Sequence, residues 1–158
     1  MTDELKRQYT LRITQANRSE LTVVVFDMAL SYLEDVKAAE TVQDRMAFRE
    51  AIRHANGCIN ELLSSLDYQQ TISVGLGALY TYMIRELALI DMRNRTEGLD
   101  EIAGMLHKLR DSFEIASRDD TGAPLMQNAQ TVYAGLTYGR DALNESLQTQ
   151  SRSRGICV

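Results

Sequence analysis

Apolar positions along the chain recur at three- and four-residue intervals over long runs, the period of helices that bury one face. From Asn17 to about Ala39 a stripe is formed by Leu21, Val24, Val25, Met28, Tyr32 and Val36, with Ala29 and Leu33 beside it. Val23 and Phe26 fall outside that stripe, so this first long helix is apolar around more than half its circumference. Such a helix is either central or partnered on a second side. Asn17 with Glu20 three residues on reads as a capping box at its start. A second helix, about 43–66 with Thr41 as its cap, carries Ala47, Phe48, Ala51, Ile52, Ala55, Ile59, Leu62 and Leu66 on its buried face. A third, about 71–94, does so with Ile72, Leu76, Leu79, Tyr80, Met83, Leu87 and Ile90. Thr96 is expected to cap a fourth, about 97–117, with Leu99, Ile102, Met105, Leu106, Leu109 and Phe113.

The corners between these runs are short. Asp67-Tyr68-Gln69-Gln70 leaves its two helices no choice but to lie side by side and antiparallel. The expected fold is all-α: an antiparallel up-down-up-down four-helix bundle over residues 17–117, preceded by a short N-terminal arm or helix (1–16). That arm is expected to begin as a helix and continue as extended chain. Residues 118–124 read as a linker, since Asp, Gly and the sole Pro supply turn chemistry. An additional C-terminal helix is expected over 125–148, with Leu125, Ala129, Val132, Tyr133, Leu136, Leu143 and Leu147 at helical spacing, followed by a disordered tail at 149–158. Gly57, Gly75 and Gly77 are expected to let a neighbouring backbone come close.

Composition adds exclusions. A hydrophobic share of 44% with 25% charged residues is that of an ordinary globular domain. A net charge of −5 argues against a nucleic-acid binder, which would show a basic face. Cys58 and Cys157 make no disulfide framework. No run approaches a membrane span and the charged N-terminus lacks a signal peptide, so a cytoplasmic protein without membrane insertion is expected.

Candidate chemistry is sparse. His54 invites a histidine phosphotransfer or signalling reading, but Ala55-Asn56-Gly57 follows it, without the lysine that such bundles place near their histidine. No Glu-x-x-His pair exists to hold a carboxylate-bridged metal site. Asp120-Thr121-Gly122 copies a protease tripeptide in a polar corner, Gly75-x-Gly77 follows no strand, and the serines have no accompanying base. Neither an enzyme nor a cofactor or metal is expected. What remains is surface: Val23, Phe26 and Leu30, with an N-terminal arm rich in Leu, Ile and Tyr, exceed what one core requires. Such a surplus is covered by a partner, or permanently by the chain itself. A structural helical dimer is the further alternative.

Landmarks spread over residues 8 to about 117 carry a family resemblance. They are Gln8-Tyr9, the Asn17-to-Leu21 helix start, Phe26-Asp27-x-Ala29, Leu63-Ser64-Ser65-Leu66-Asp67, Leu79-Tyr80-x-Tyr82-Met83 and Leu109-Arg110-Asp111-x-Phe113. In order and spacing the chain resembles the flagellin-specific export chaperone family FliS. The resemblance implies a bacterial cytoplasmic chaperone that binds the disordered C-terminal segment of flagellin, prevents early polymerisation and delivers it to the flagellar type III export apparatus. Its implied partners are flagellin and an export gate component; other flagellar regulators stay open, and a homodimer is an alternative raised by the residues themselves rather than by the resemblance. On that footing the client groove is expected at Leu21, Val24, Phe26, Met28, Tyr80, Tyr82 and Met83. The arm residues Leu5, Tyr9, Leu11 and Ile13 would cover it and move when the client binds. The chain departs from the family at Phe26, commonly Tyr; at Met28, commonly Gly; and at Phe113, commonly Trp. Residues 121–158 lie beyond the part that aligns; Leu125, Val132, Tyr133, Leu136 and Leu143 are expected either to form a tail that binds the chain's own groove or a second copy, or to belong to an ordinary fifth helix packed outside the groove.

Overall fold

Most helix starts in the computed structural model, which describes residues 1–126, can be traced to a local cause. Helix α1 (Asp3–Gln15) is capped by the Thr2 hydroxyl, which accepts from the Leu5 amide, and it carries Asp3 and Glu4 in its first turn. Acidic side chains there complement the helix dipole. It remains helical to Gln15, so the extended stretch expected within the arm shrinks to the Ala16–Asn17 joint. Helix α2 (Arg18–Thr41) has the capping box expected from Asn17 and Glu20: Asn17 Oδ1 accepts from the Glu20 amide at 2.8 Å, and Glu20 Oε2 accepts from the Asn17 amide at 3.0 Å.

Helix α3 (Arg45–Ser64) is capped not by Thr41 but by Asp44, whose Oδ1 accepts from the Met46 and Ala47 amides at 3.0 Å each. Thr41 is still inside α2, its hydroxyl donating back to the Lys37 carbonyl. Helix α4 (Thr71–Arg93) ends at Asn94 in the left-handed region, φ 53°. Helix α5 (Leu99–Ser117) starts from Gly98 at φ 90°, a conformation that favours glycine. Thr96, the expected cap, instead gives its amide and hydroxyl to the Glu40 carboxylate and so ties the α4–α5 corner to α2.

Helix α2 packs against α3 and α5, α3 against α4 and α4 against α5, while α1 lies on α2. The described residues belong to one unit, Met1–Gln127. Its core holds Phe26, Leu33, Val36, Phe48, Ile59, Tyr80, Met83, Leu87, Leu99, Ile102 and Leu106, each almost fully buried. Among the described residues the fold is an all-α bundle.

Two local expectations change. Ile72, expected in the core, is 70% exposed in the first turn of α4, at the edge of the bundle. Gly57 and Gly75 have open space where a Cβ would stand, so neither is needed for close approach; only Gly77 faces neighbours, the side chains of Tyr68, Leu66 and Leu63. The expected helix 125–148 and the tail 149–158, with Val132, Tyr133, Leu136, Leu143 and Cys157, lie outside the described residues apart from Leu125 and Met126, which stand exposed.

Candidate functional site

The residues expected to line a client groove divide into three groups. Phe26 is the first correction. It has no exposed surface and sits between α4 and α5, its ring centroid 5.4 Å from that of Phe113 and 6.4 Å from that of Tyr80. Tyr80 and Met83 are equally internal, 1% and 0% exposed, and burial pushes the Tyr80 phenol up to about 12. These three can present nothing to a partner while the bundle is closed. Their apolar area is consumed by the core.

A second group lies on the flank of α2. A helix turns 100° per residue, so Leu21, Val24 and Met28 share the side that also carries Asp27 and Ser31. That side faces α1: the Tyr9 hydroxyl donates to the Asp27 carbonyl at 3.1 Å and pairs with the Ser31 hydroxyl at 2.7 Å. Val24 is buried, and Leu21 and Met28 are half-buried. The second apolar side of α2 therefore has a partner within the chain, the arm itself.

That arm buries few side chains, and its free end is tied to α2 by the Met1 ammonium paired with the Asp35 carboxylate. Along α1 only Tyr9 and Thr14 are buried; Leu5 and Ile13 are half-buried, and Leu11, 39% exposed, points away. Polar contacts supply much of the grip. Asp27 is shared between Arg12 of α1, at 2.6 Å, and Arg110 of α5, at 2.9 Å, and Arg110 also reaches Asp111 and Glu114. Partly exposed ion pairs of this kind contribute at most about 1 kcal/mol each. A cleft of about 580 Å³ opens between the end of α1, the start of α2 and the end of α5, with Val23 and Val24 among mainly polar walls such as Arg12, Glu20, Glu114 and Asp120.

The third group extends beyond the residues expected from sequence. Tyr82 stands two residues from buried Tyr80 and so projects from the opposite side of α4, 39% exposed. On that outward side Val74 is 68%, Leu89 37% and Met92 79% exposed, with Gly75, Ala78, Thr81 and Ala88 between them and Arg85 as a charged residue in their midst. From Thr71 to Ile84 the helix carries no charged residue. A helix that is apolar all round is one that is covered on all sides, yet among the described residues nothing covers this face. Burial first, and then Glu101 and Glu86 beside it, raise the Tyr82 phenol above its ordinary value. The charge-free run is the sequence signal for this face; a search for core stripes alone passes over it.

None of this is catalytic machinery. His54 packs at a tilt against Tyr32, with ring centroids 4.9 Å apart, joining α2 to α3. The Cys58 thiol is pushed up to about 11 by burial, far from a reactive thiolate. Among the described residues no group of three His, Cys, Asp or Glu side chains could hold a metal ion, and no helix is long and apolar enough to cross a membrane.

Known proteins are similar in sequence to this chain over much of the described span. The profile of the family described as "Flagellar protein FliS" matches residues 1–120. The flagellar secretion chaperone FliS of Bacillus subtilis (strain 168) is 27% identical over 108 residues, 68% of this chain and 81% of that protein. Its namesake from Salmonella typhimurium is 30% identical over 105 residues, 65% and 78% of the two chains. That of Escherichia coli (strain K12) is 27% identical over 107 residues, 65% and 77%.

Proposed function

We propose, for a chain that belongs to the flagellar protein FliS family and hence to chaperones rather than enzymes, that its client is the disordered C-terminal segment of flagellin. The chaperone holds that segment in the bacterial cytoplasm and hands it to the export gate of the flagellar type III apparatus. The observation that carries this reading is the outward face of α4. An exposed apolar helix face is costly to keep in water, about 25 cal/mol for each Å² that a partner would bury. Val74, Tyr82, Leu89 and Met92 recur along it over five helical turns, a spacing that suits an amphipathic client segment folding as it binds. The α2 flank at Leu21, Val24 and Met28 is the natural second contact, opened when α1 lifts away.

Binding of a peptide with the C-terminal sequence of the same organism's flagellin, followed by calorimetry, tests this. Val74→Asp and Leu89→Asp change exposed positions, so they should leave the helical circular dichroism intact and weaken binding at least tenfold. No binding at tens of micromolar to the unmodified chain, or full affinity in both variants, would overturn the reading. Light scattering in the same samples reports whether a second copy competes for the face.

A further inference from the structure

The family match ends at residue 120, and Asp120 is itself a fastening point. After α5 the chain turns back to the joint between α1 and α2. The Asp120 carbonyl accepts from Asn17 Nδ2 at 3.0 Å; its carboxylate accepts from the Ser19 hydroxyl and, at 2.9 Å, from the Gly122 amide. Five residues on, the Leu125 amide donates to the Ala16 carbonyl at 3.1 Å. The segment thus grips three residues of one joint, Ala16, Asn17 and Ser19. Ala16 and Asn17 are 4% and 5% exposed there. The Asp120 carboxylate also sits at the N-terminus of α2, where the helix dipole favours a negative charge.

The position matters because any lifting of α1 would have to turn about this joint. Thirteen residues of α1 hang from Ala16–Asn17, with a single aromatic side chain buried beneath them. For the arm to lift as a body, backbone torsions at Ala16 and Asn17 must change. A hydrogen bond from Leu125 to the Ala16 carbonyl resists that change directly. Asn17 is committed twice, capping α2 through Oδ1 and holding Asp120 through Nδ2. Nothing in the bundle core requires residues 118–125 to return here; Thr121 to Leu125 are exposed and bury no core of their own.

We propose that residues 118–125 form a strap that locks the hinge of the α1 arm, so that the chain beyond α5 brakes access to the α2 flank. The second half of this statement rests on the client reading given above; the first does not. Opening of the arm is then a two-step event. The strap leaves the Ala16–Ser19 joint, and α1 swings away from Tyr9's partners on α2. A chaperone whose arm is strapped admits its client less readily than one whose arm is held by α1 contacts alone.

Two variants of the full chain test the strap. Asp120→Ala removes the bonds to Ser19 and Gly122; Leu125→Pro removes the amide that reaches Ala16 and changes an exposed side chain. Neither touches the Asn17 cap. Hydrogen exchange followed by mass spectrometry should show α1 amides exchanging about three- to tenfold faster in both variants, the change expected from losing one or two hydrogen bonds. Exchange in α3 and α4 should be unaltered. Unchanged α1 exchange in both variants overturns the proposal, as does equal acceleration throughout the bundle. Flagellin-peptide affinity, measured in parallel, should tighten by a similar factor. Faster α1 exchange with unaltered affinity would uphold the strap and refute the placement of the client on the α2 flank.

Discussion

Replacing Phe26 by alanine separates core from client surface more sharply than any other single change. The ring has no exposed area and lies against Phe113 and Tyr80, with centroids 5.4 Å and 6.4 Å away. Its removal costs the transfer energy of the lost ring plus the cavity left behind, about 3–5 kcal/mol for a buried Phe→Ala change. The two tilted aromatic pairs, each contributing about 0.5–1.5 kcal/mol beyond area, place the expectation in the upper half of that range. A urea m-value of roughly 2 kcal/mol per molar converts the loss into a midpoint lowered by about 2–2.5 M. Far-UV circular dichroism in a urea titration measures it. Leu89→Ala, on the outward side of α4, is the control and should move the midpoint by less than about 0.3 M, because surface changes stay within about 0.5 kcal/mol. A Phe26→Ala protein with an unaltered midpoint but lost affinity for flagellin peptide would show the reasoning to be wrong: the ring would then be part of a binding surface.

Four further outcomes follow from the same contacts. Tyr9→Phe removes the hydroxyl that bonds the Asp27 carbonyl and Ser31; at about 1 kcal/mol, α1 amides should exchange about fivefold faster and the urea midpoint should fall by no more than about 0.5 M. The Glu40 carboxyl is held below its ordinary value by the Thr96 hydroxyl and then the Thr96 amide. Its folded-state pKa is therefore depressed, so its contribution is fully present above the unfolded value and fades as pH falls through the folded one. Stability measured from pH 6 downward should lose that component in the wild type but not in Glu40→Gln, and identical profiles would refute it. Cys58, buried and with its thiol pushed up, should be labelled by a thiol reagent at about pH 8 only as fast as the bundle unfolds; peptide mapping keeps it apart from Cys157. Gly57→Ala places a Cβ in open space on an exposed turn of α3 and should raise stability by up to about 1 kcal/mol in the urea titration.

Much of the fold is legible in the order of residues, for a simple reason. Period-3.6 stripes over runs of about twenty residues, bounded by Asn17–Glu20, Asp67–Gln70 and Asn94, specify helices and corners by local interactions alone. Cap residues are harder. Thr41 and Thr96 have the right chemistry, but Asp44 and Gly98 stand closer to where the backbone turns, and Glu40 claims Thr96 across the bundle. The division of Tyr80 from Tyr82 follows from their spacing, and their burial agrees with it.

Local pattern thus suffices for the helices, their approximate ends and the short corners, and residues spread over positions 8–117 suffice for the family. Which arc of an all-round apolar helix turns inward is a matter of packing. Helix α2 offers two stripes; contact with α3 and α5 selects the one with Phe26, against whose core Met28 also packs, and leaves Leu21 and Val24 on the flank towards the arm. Helix α4 likewise commits Tyr80 and Met83 to the core and keeps Val74, Tyr82, Leu89 and Met92 outside. Periodicity reports that a face is apolar, whereas its direction depends on the volume and shape of neighbours distant in the chain. The same holds for the Asp27 and Asp120 fastenings. They join residues 15 to 103 positions apart, and no local pattern records such a bond.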